Sequence, residues 1–510
     1  MLKSKIGITE VILSAIALLM LLLLFFKAVI NIDTGYDAGW YHLPFAARIW
    51  GIIPKESFLT EKSIEYRYQG FPLLAHFFQG LLWKVTGRIQ STNLVGYFSV
   101  IGYLFFLRTF FQIPLYLSTI AILAIPAVLT HSTTSFVDLP GNIGVAISVM
   151  MLWKFSCKSD LPNRNELLVA FLGAVVAANV KPQLTVSMLF IWFASMGVLA
   201  RLWLRNSGNF KGNRLSTIIF SLIASILIFA TSIKNVALYQ NPVYPIKVEV
   251  AGVVLNHKAV PQTYKEGNRP QKWLRSILEI NTPEWTAEQY NHSGNPKNLD
   301  RAGGFFGAYV VFNLLLLTLL NIYSQRRSVK IASRNAKRSA IALAIITIAS
   351  IFVANFPQSH ELRYFMFWMI VLVSFNLHII STSEFKIFKW LKSKYLTLVY
   401  LGFLILMSIK IDSYFLKPVF KSMPTLHRGY SSVEEYVKDA VKPALIEQMI
   451  PNERVCLISR HAIPNPDAIP YASIANAIFY ASYFHPEVDF DYSIQAVTSK
   501  NGCGDLPKIP

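Results

Sequence analysis

Residues 8–28 read ITEVILSAIALLMLLLLFFKA, and residues 29–44 continue VINIDTGYDAGWYHLP. A helix needs about 20 mostly apolar residues to cross the hydrocarbon core of a bilayer, and the first run supplies them. It is too long and too apolar for a removable signal peptide, and no small-x-small cleavage site follows it. It reads as a first membrane helix. The second run then emerges at the membrane surface, where Tyr36, Trp40 and Tyr41 suit the aromatic belt. Beyond Pro44 an amphipathic stretch from Phe45 to Ile53 is placed along the membrane.

The rest of the chain repeats this character. Of 510 residues, 53% are hydrophobic and 15% charged, against about 25% charged in a soluble domain. So few charges cannot cover a soluble surface. Further apolar segments lie near 71–86, 93–107, 113–130, 139–155, 166–180, 183–203, 215–233, 305–323, 339–355, 363–381 and 395–412. The formal charge of +20 does not describe a nucleic-acid-binding domain. The tail from residue 413 is nearly neutral, with nine Lys/Arg against ten Asp/Glu. The excess lies between the apolar segments, where cytoplasmic loops collect Lys and Arg.

Those loops set an orientation. Residues 201–214 carry Arg201, Arg205, Lys211 and Arg214 with no acid. Residues 324–338 carry six basic residues with no acid, and 384–394 carry four Lys against Glu384. With these inside, and the 153–166 loop joining them more weakly, the stretches 29–70, 131–138, 234–304 and 355–362 and the tail fall outside. Parity leaves one crossing between the loop after residue 28 and Arg108. The segment 71–86, with His76, Gln79, Lys84 and several aromatics, is therefore expected to lie at the outer interface. The expected fold class is an all-α polytopic membrane protein with about eleven (11–12) transmembrane helices, N-terminus inside. Residues 1–412 form the membrane domain. Residues 413–510 form a small extracytoplasmic α/β module, in which Cys456 and Cys503 either pair or stay free.

Chemistry belongs to the outer loops. Asp37 stands just after the first span. An acid there can take a proton from an acceptor hydroxyl or amine, hold a divalent ion, or simply be a loop Asp. Asp138 opens a later span, before Leu139-Pro140, and is equally a second acid or a helix N-cap. Lys181, in the tight turn Val180-Lys181-Pro182, meets a phosphate or snorkels. Arg363, in Glu361-Leu362-Arg363-Tyr364, is an outward Arg that the positive-inside bias does not explain. It binds phosphate oxygens in a fork or pairs with Glu361. Arg67, between Tyr66 and Tyr68, is another outward cation. No Gly-Lys-Ser/Thr phosphate loop, His-Glu-x-x-His, Gly-x-Ser-x-Gly or zinc-spaced Cys/His set is present. Nucleotide-driven transport and zinc proteolysis therefore have little support.

Asp37-Ala38-Gly39-Trp40-Tyr41-His42-Leu43-Pro44 resembles the first-loop motif of the GT-C superfamily, integral membrane glycosyltransferases that use polyprenyl-phosphate-linked sugars. Within it, the segment is most similar to bacterial members with Asp-x-x-x-Tyr-His-Leu-Pro. Asp138 before Leu-Pro, Lys181-Pro182, Asn241-Pro242-x-Tyr244-Pro245 and Glu361-Leu362-Arg363-Tyr364 match further elements in order, over roughly residues 8–381. The resemblance implies catalytic roles for Asp37 and Asp138, and a donor phosphate held by Arg363, Lys181 and Arg67. His42, Tyr41, Glu361 and Tyr364 would support the acceptor and the loop. It implies a polyprenyl-phosphate sugar donor, a lipid, glycan or protein acceptor, membrane lipids as surroundings, and a site on the outer face of a bacterial cytoplasmic (inner) membrane. The Asp-x-Asp pair of many relatives is absent, since Asp33 and Asp37 stand four apart. That favours a reaction with no cofactor and no metal. The contrasting expectations are a transporter or flippase of lipid-linked saccharides, which asks for charges at mid-membrane, and a non-catalytic subunit of glycan assembly.

Overall fold

The computed structural model describes residues 7–30, 33, 37–52, 62–205, 214–250, 252–260, 267–280, 304–325, 330–382 and 393–410, together with three short tail segments, 455–457, 492–493 and 508–509. The chain forms helices α1 (Ile8–Ile30), α2 (Leu43–Trp50), α3 (Lys62–Gly70), α4 (Leu74–Thr86), α5 (Leu94–Phe111), α6 (Leu115–Leu123), α7 (Pro126–His131), α8 (Asp138–Cys157) and α9 (Arg164–Val180). It continues through α10 (Pro182–Arg205), α11 (Arg214–Ile228), α12 (Ala230–Tyr239), α13 (Arg269–Leu278), α14 (Gly307–Gln325), α15 (Lys330–Asn355), α16 (Met366–Thr382) and α17 (Ser393–Lys410).

Among the described residues, six stretches are long and apolar enough to cross a membrane: Ile8–Ile30, Ile89–Phe111, Pro182–Arg205, Gly307–Gln325, Asn335–Asn355 and Leu362–Thr382. A seventh is added if Ser221–Ile228 and Ala230–Tyr239, bent by 66°, form one span. Several remaining segments of the expected set are broken or short. The stretch 113–130 divides at Ile125-Pro126 into α6 and α7, because a proline cannot continue the hydrogen bonding of a helix interior. The segment 71–86 becomes α4, 13 residues long. At 1.5 Å per residue it is too short to span alone, and it packs on α2.

Helices α8 and α16 form the centre. α16 is buried on nearly every side, as a helix apolar all round must be. α8 packs against α5, α9, α10, α15 and α16. Its contact with α9 needs glycine: a Cβ on Gly144 would sit 2.7 Å from the backbone of Gly173 and Ala177. Small residues let membrane helices approach this closely. Polar side chains tie the bundle further in. Asn376 Nδ2 donates to the Asn313 carbonyl at 2.9 Å, Tyr400 Oη donates to Asn313 Oδ1 at 3.0 Å, and Tyr309 Oη donates to the Ala121 carbonyl at 2.8 Å. Away from water, such groups need internal partners.

The described part of the tail is three strands, β3 (Val455–Leu457), β4 (Tyr492–Ser493) and β5 (Lys508–Ile509), following a two-strand hairpin of β1 (Glu249–Val250) and β2 (Val253–Val254). β3 lies between β4 and β5, parallel to both. The remainder of the expected C-terminal module, and the Cys456–Cys503 pairing, lie outside the described residues.

Candidate active site

α8 places Asp138 at its first residue and Lys154 in its last turn. The helix thus has two chemically distinct ends about 30 Å apart. At the Asp138 end, four segments distant in sequence meet. These are the loop after α1, the loop before α8, the α9–α10 turn and the entry to α16.

Asp37 starts a π turn, Ala38–His42, that runs into α2. Pro44 is accommodated because it sits in the first turn of α2, where no backbone N–H is required. Trp40, His42 and Phe45 are buried by this arrangement, and the Asp37 side chain makes no capping hydrogen bond. It instead accepts from Arg363 Nη1 at 2.9 Å. Arg363 Nη2 donates to Tyr364 Oη at 3.2 Å, and Glu361 Oε2 lies 3.8 Å from its Nε. The guanidinium also lies 5.5 Å from the Phe136 ring centre. Of the alternatives for Arg363, the Glu361 pair is present but long, and Asp37 is the nearer partner.

Asp138 is completely buried, as is nearly all of Lys181, and the ammonium group donates to Asp138 Oδ1. Lys181 Nζ also sits 4.1 Å above the Tyr364 ring. The N-cap alternative for Asp138 does not hold. Val137 occupies that position, without a side-chain cap, and Asp138 is the first helical residue. Lys181 likewise does not snorkel to water. The turn carries it inward because Pro182 begins α10 directly after it.

Arg67 is placed differently. Its guanidinium lies 4.0 Å over the Trp40 ring, beside the Asp37 turn. The Tyr41 and His42 ring centres are 4.0 Å apart, with the rings tilted by 42°. Burial, with Asp37 and Asp138 nearby, pushes the Tyr41 phenol well above the usual range, so it stays a neutral hydrogen-bonding group. His42 Nδ1 and His76 Nε2 are 2.9 Å apart, and both rings are fully buried. Burial holds both imidazoles well below the usual histidine range, His76 at about 3. This is a neutral pair that joins the π turn to α4.

Three elements of the site are not legible in the sequence as functional residues. Asn142, one turn after Asp138, donates to the Asp138 carbonyl at 2.8 Å and the Arg363 carbonyl at 3.1 Å, and accepts from the Phe367 N–H at 2.9 Å. It pins Arg363 to α8. Asp33 accepts from Ser135 N at 2.8 Å and Ser135 Oγ at 2.9 Å, and Gln79 Nε2 donates to the Ser135 carbonyl at 2.5 Å. These bonds fasten the loop that carries Phe136 and Asp138. His131 packs edge-on to Phe136. The one signal for Asn142 is a polar residue at i+4 from an acid in an apolar helix, which pattern reading treats as incidental.

Among the described residues no group of three or more His, Cys, Asp or Glu side chains is placed to hold a metal ion. Asp37 and Asp138 are each paired with a basic side chain.

The apolar helices and their buried polar ties define a multi-pass membrane protein. No family model matches the chain, and no curated protein is similar to it. A solved structure, ArnT from Cupriavidus metallidurans bound to undecaprenyl phosphate, is 11% identical over 94% of this chain and 89% of that one, with a TM-score of 0.32.

Proposed function

We propose that the protein is a membrane glycosyltransferase that moves a sugar from a polyprenyl-phosphate-linked donor to a hydroxylated acceptor at the outer face of a bacterial cytoplasmic membrane. One observation carries this reading. Asp37, Asp138, Lys181 and Arg363, which the resemblance singles out separately, converge as two ion pairs at one end of α8. The same placement disfavours the flippase reading, which asks for charges at mid-membrane.

The reaction is a single displacement with inversion. Asp37 takes the acceptor hydroxyl proton, and the acceptor oxygen attacks the anomeric carbon. The bond from that carbon to the phosphate oxygen breaks, and the polyprenyl phosphate leaves with one more negative charge. A cation on that phosphate is worth more as the bond breaks than before, so it lowers the barrier rather than only tightening binding. Arg363 supplies this charge through a two-point contact, and Lys181 holds Asp138 in place. The wider architecture proposed with this reading has about eleven crossings, the site end of α8 outside, and residues 413–510 as an extracytoplasmic module.

The test is transfer by membranes containing the protein, supplied with a mixed pool of polyprenyl-phosphate sugars. Asp37→Asn should abolish transfer while the protein remains folded. Full transfer by that variant removes Asp37 as the base.

A further inference from the structure

Taken together, the contacts of Arg363 present a conflict. The proposed chemistry, on which this inference rests, asks Arg363 for a charge on the donor phosphate and Asp37 for an oxygen on the acceptor proton. In the structure each is committed to the other, with Arg363 Nη1 on Asp37 Oδ2 at 2.9 Å. While the pair is closed, Arg363 Nη1 and Asp37 Oδ2 are both occupied and each charge is spent on the other. One event resolves both problems, an exchange of partners at the guanidinium.

We infer that the Asp37–Arg363 ion pair is a donor-operated latch: the phosphate of a prenyl-linked donor takes over Arg363 and thereby releases Asp37 as the base.

The surroundings fit such an exchange. The two ion pairs are not equally reachable. The side chains of Asp138 and Lys181 are 0% and 8% exposed, whereas those of Asp37 and Arg363 are 14% and 19% exposed. An incoming phosphate therefore meets Arg363 first, and Lys181 keeps Asp138 charged and fixed. Arg67 faces Trp40. A guanidinium has five N–H donors, and Arg363 Nε has no hydrogen-bond partner among the described residues. A phosphate that reaches the partly exposed guanidinium makes the forked contact that a single carboxylate oxygen does not. Glu361, the other carboxyl in reach, is pushed up to about 7 by its burial and so competes weakly for Arg363 near neutral pH. Asp37 caps no helix with its side chain, so its departure orphans no backbone group. Phe136, Tyr364 and the Asn142 contact to the Arg363 carbonyl hold the Arg363 segment in place while the partner changes.

The order of events follows. Donor binds first and arms the base, so the base is not exposed in a site without a leaving group.

The experiment measures binding of farnesyl phosphate to the full-length protein in detergent by isothermal titration calorimetry, without sugar or acceptor. Asp37→Asn removes the internal competitor and is expected to bind roughly tenfold more tightly than the parent protein, a change of about 1.4 kcal/mol. Asp37→Ser is the second variant and is expected to move in the same direction. Arg363→Gln is expected to lose binding by about 100-fold or more. Inorganic phosphate at matching concentrations is expected to bind far more weakly, because it lacks the prenyl chain. Equal or weaker binding in both Asp37 variants, with Arg363→Gln still defective, overturns the latch and leaves the donor site standing. Binding that ignores Arg363→Gln, or that inorganic phosphate reproduces, overturns the donor reading and the latch with it.

Discussion

The two ends of α8 carry the same kinds of charged residue in opposite wiring. At the far end, Glu166 accepts from Lys158 at 2.6 Å and lies 3.1 Å from Lys154. With Asn163 it closes a capping box at the start of α9. The partners are close in sequence. Lys154 also donates to the Phe110 carbonyl at 2.9 Å, and Trp153 donates to the Arg338 carbonyl at 3.0 Å. Both oxygens of Glu166 are occupied. At the near end, Asp37 and Arg363 stand 326 positions apart in sequence and Asp138 and Lys181 stand 43 apart. Asp138 Oδ2 and Arg363 Nε have no hydrogen-bond partners among the described residues. The Glu166 ion pairs thus close over short stretches of sequence and leave neither carboxylate oxygen unpaired. The near-end pairs join separate segments and leave Asp138 Oδ2 and Arg363 Nε without hydrogen-bond partners among the described residues, so they persist only because the surrounding packing holds them.

The widest separation between the ends should appear in catalysis. Asp37→Asn is expected to lower transfer by about 10³-fold, within the range for losing a general base, while Glu166→Gln leaves the rate per folded molecule unchanged. Comparable losses from both would erase the distinction. Arg363→Lys keeps the charge but not the fork. It is expected to lower kcat by about 10²-fold, read from turnover at saturating donor, and an unchanged kcat would move the leaving-group role to Lys181.

The next effect is on stability. Gly144→Val forces a side chain against the α9 backbone at 2.7 Å and is expected to cost about 3 kcal/mol, seen as a lower unfolding temperature in detergent. Glu166→Gln is expected to cost less, on the order of 2 kcal/mol, because its lysine partners reach water.

The smallest effect is a pH dependence specific to the site end. Burial raises the Glu361 carboxyl from its ordinary 4.5 to about 7, so the folded protein holds that proton more tightly than the unfolded chain. Its contribution to stability is fully present below about 4.5 and is lost as pH rises towards about 7. Glu361→Gln, which mimics the protonated form, is expected to flatten that part of the curve and to exceed the parent protein in stability above pH 7. A difference curve with no slope between those values would show that Glu361 is not held in this way.

Much of the site is readable along the chain. Asp37, Asp138, Lys181 and Arg363 each stand where an apolar run meets a polar turn, and charge bias assigns them one common side. Pairing is not readable in this way. Arg363 has an acid two residues away, and local reasoning chooses Glu361, yet the fold supplies Asp37. Asp138 carries the marks of an N-cap, yet a one-residue shift of the helix start and an inward Lys181 make it half of a buried pair. Asn142 gives no sign of its role because its value lies in three bonds that reach segments only folding brings together. The stretch 113–130 reads as continuous by its hydropathy, but Pro126 divides it.

By itself the sequence determined that this chain lives in a membrane, because its apolar fraction leaves no other solvent for it. It also determined where the chemistry could sit, because charges are tolerated only where helices end. The tertiary structure alone decided which cation meets which carboxylate. Ion pairing depends on distance within a few ångströms, and in a helical bundle that distance is set by how helices remote in sequence pack, not by their spacing along the chain.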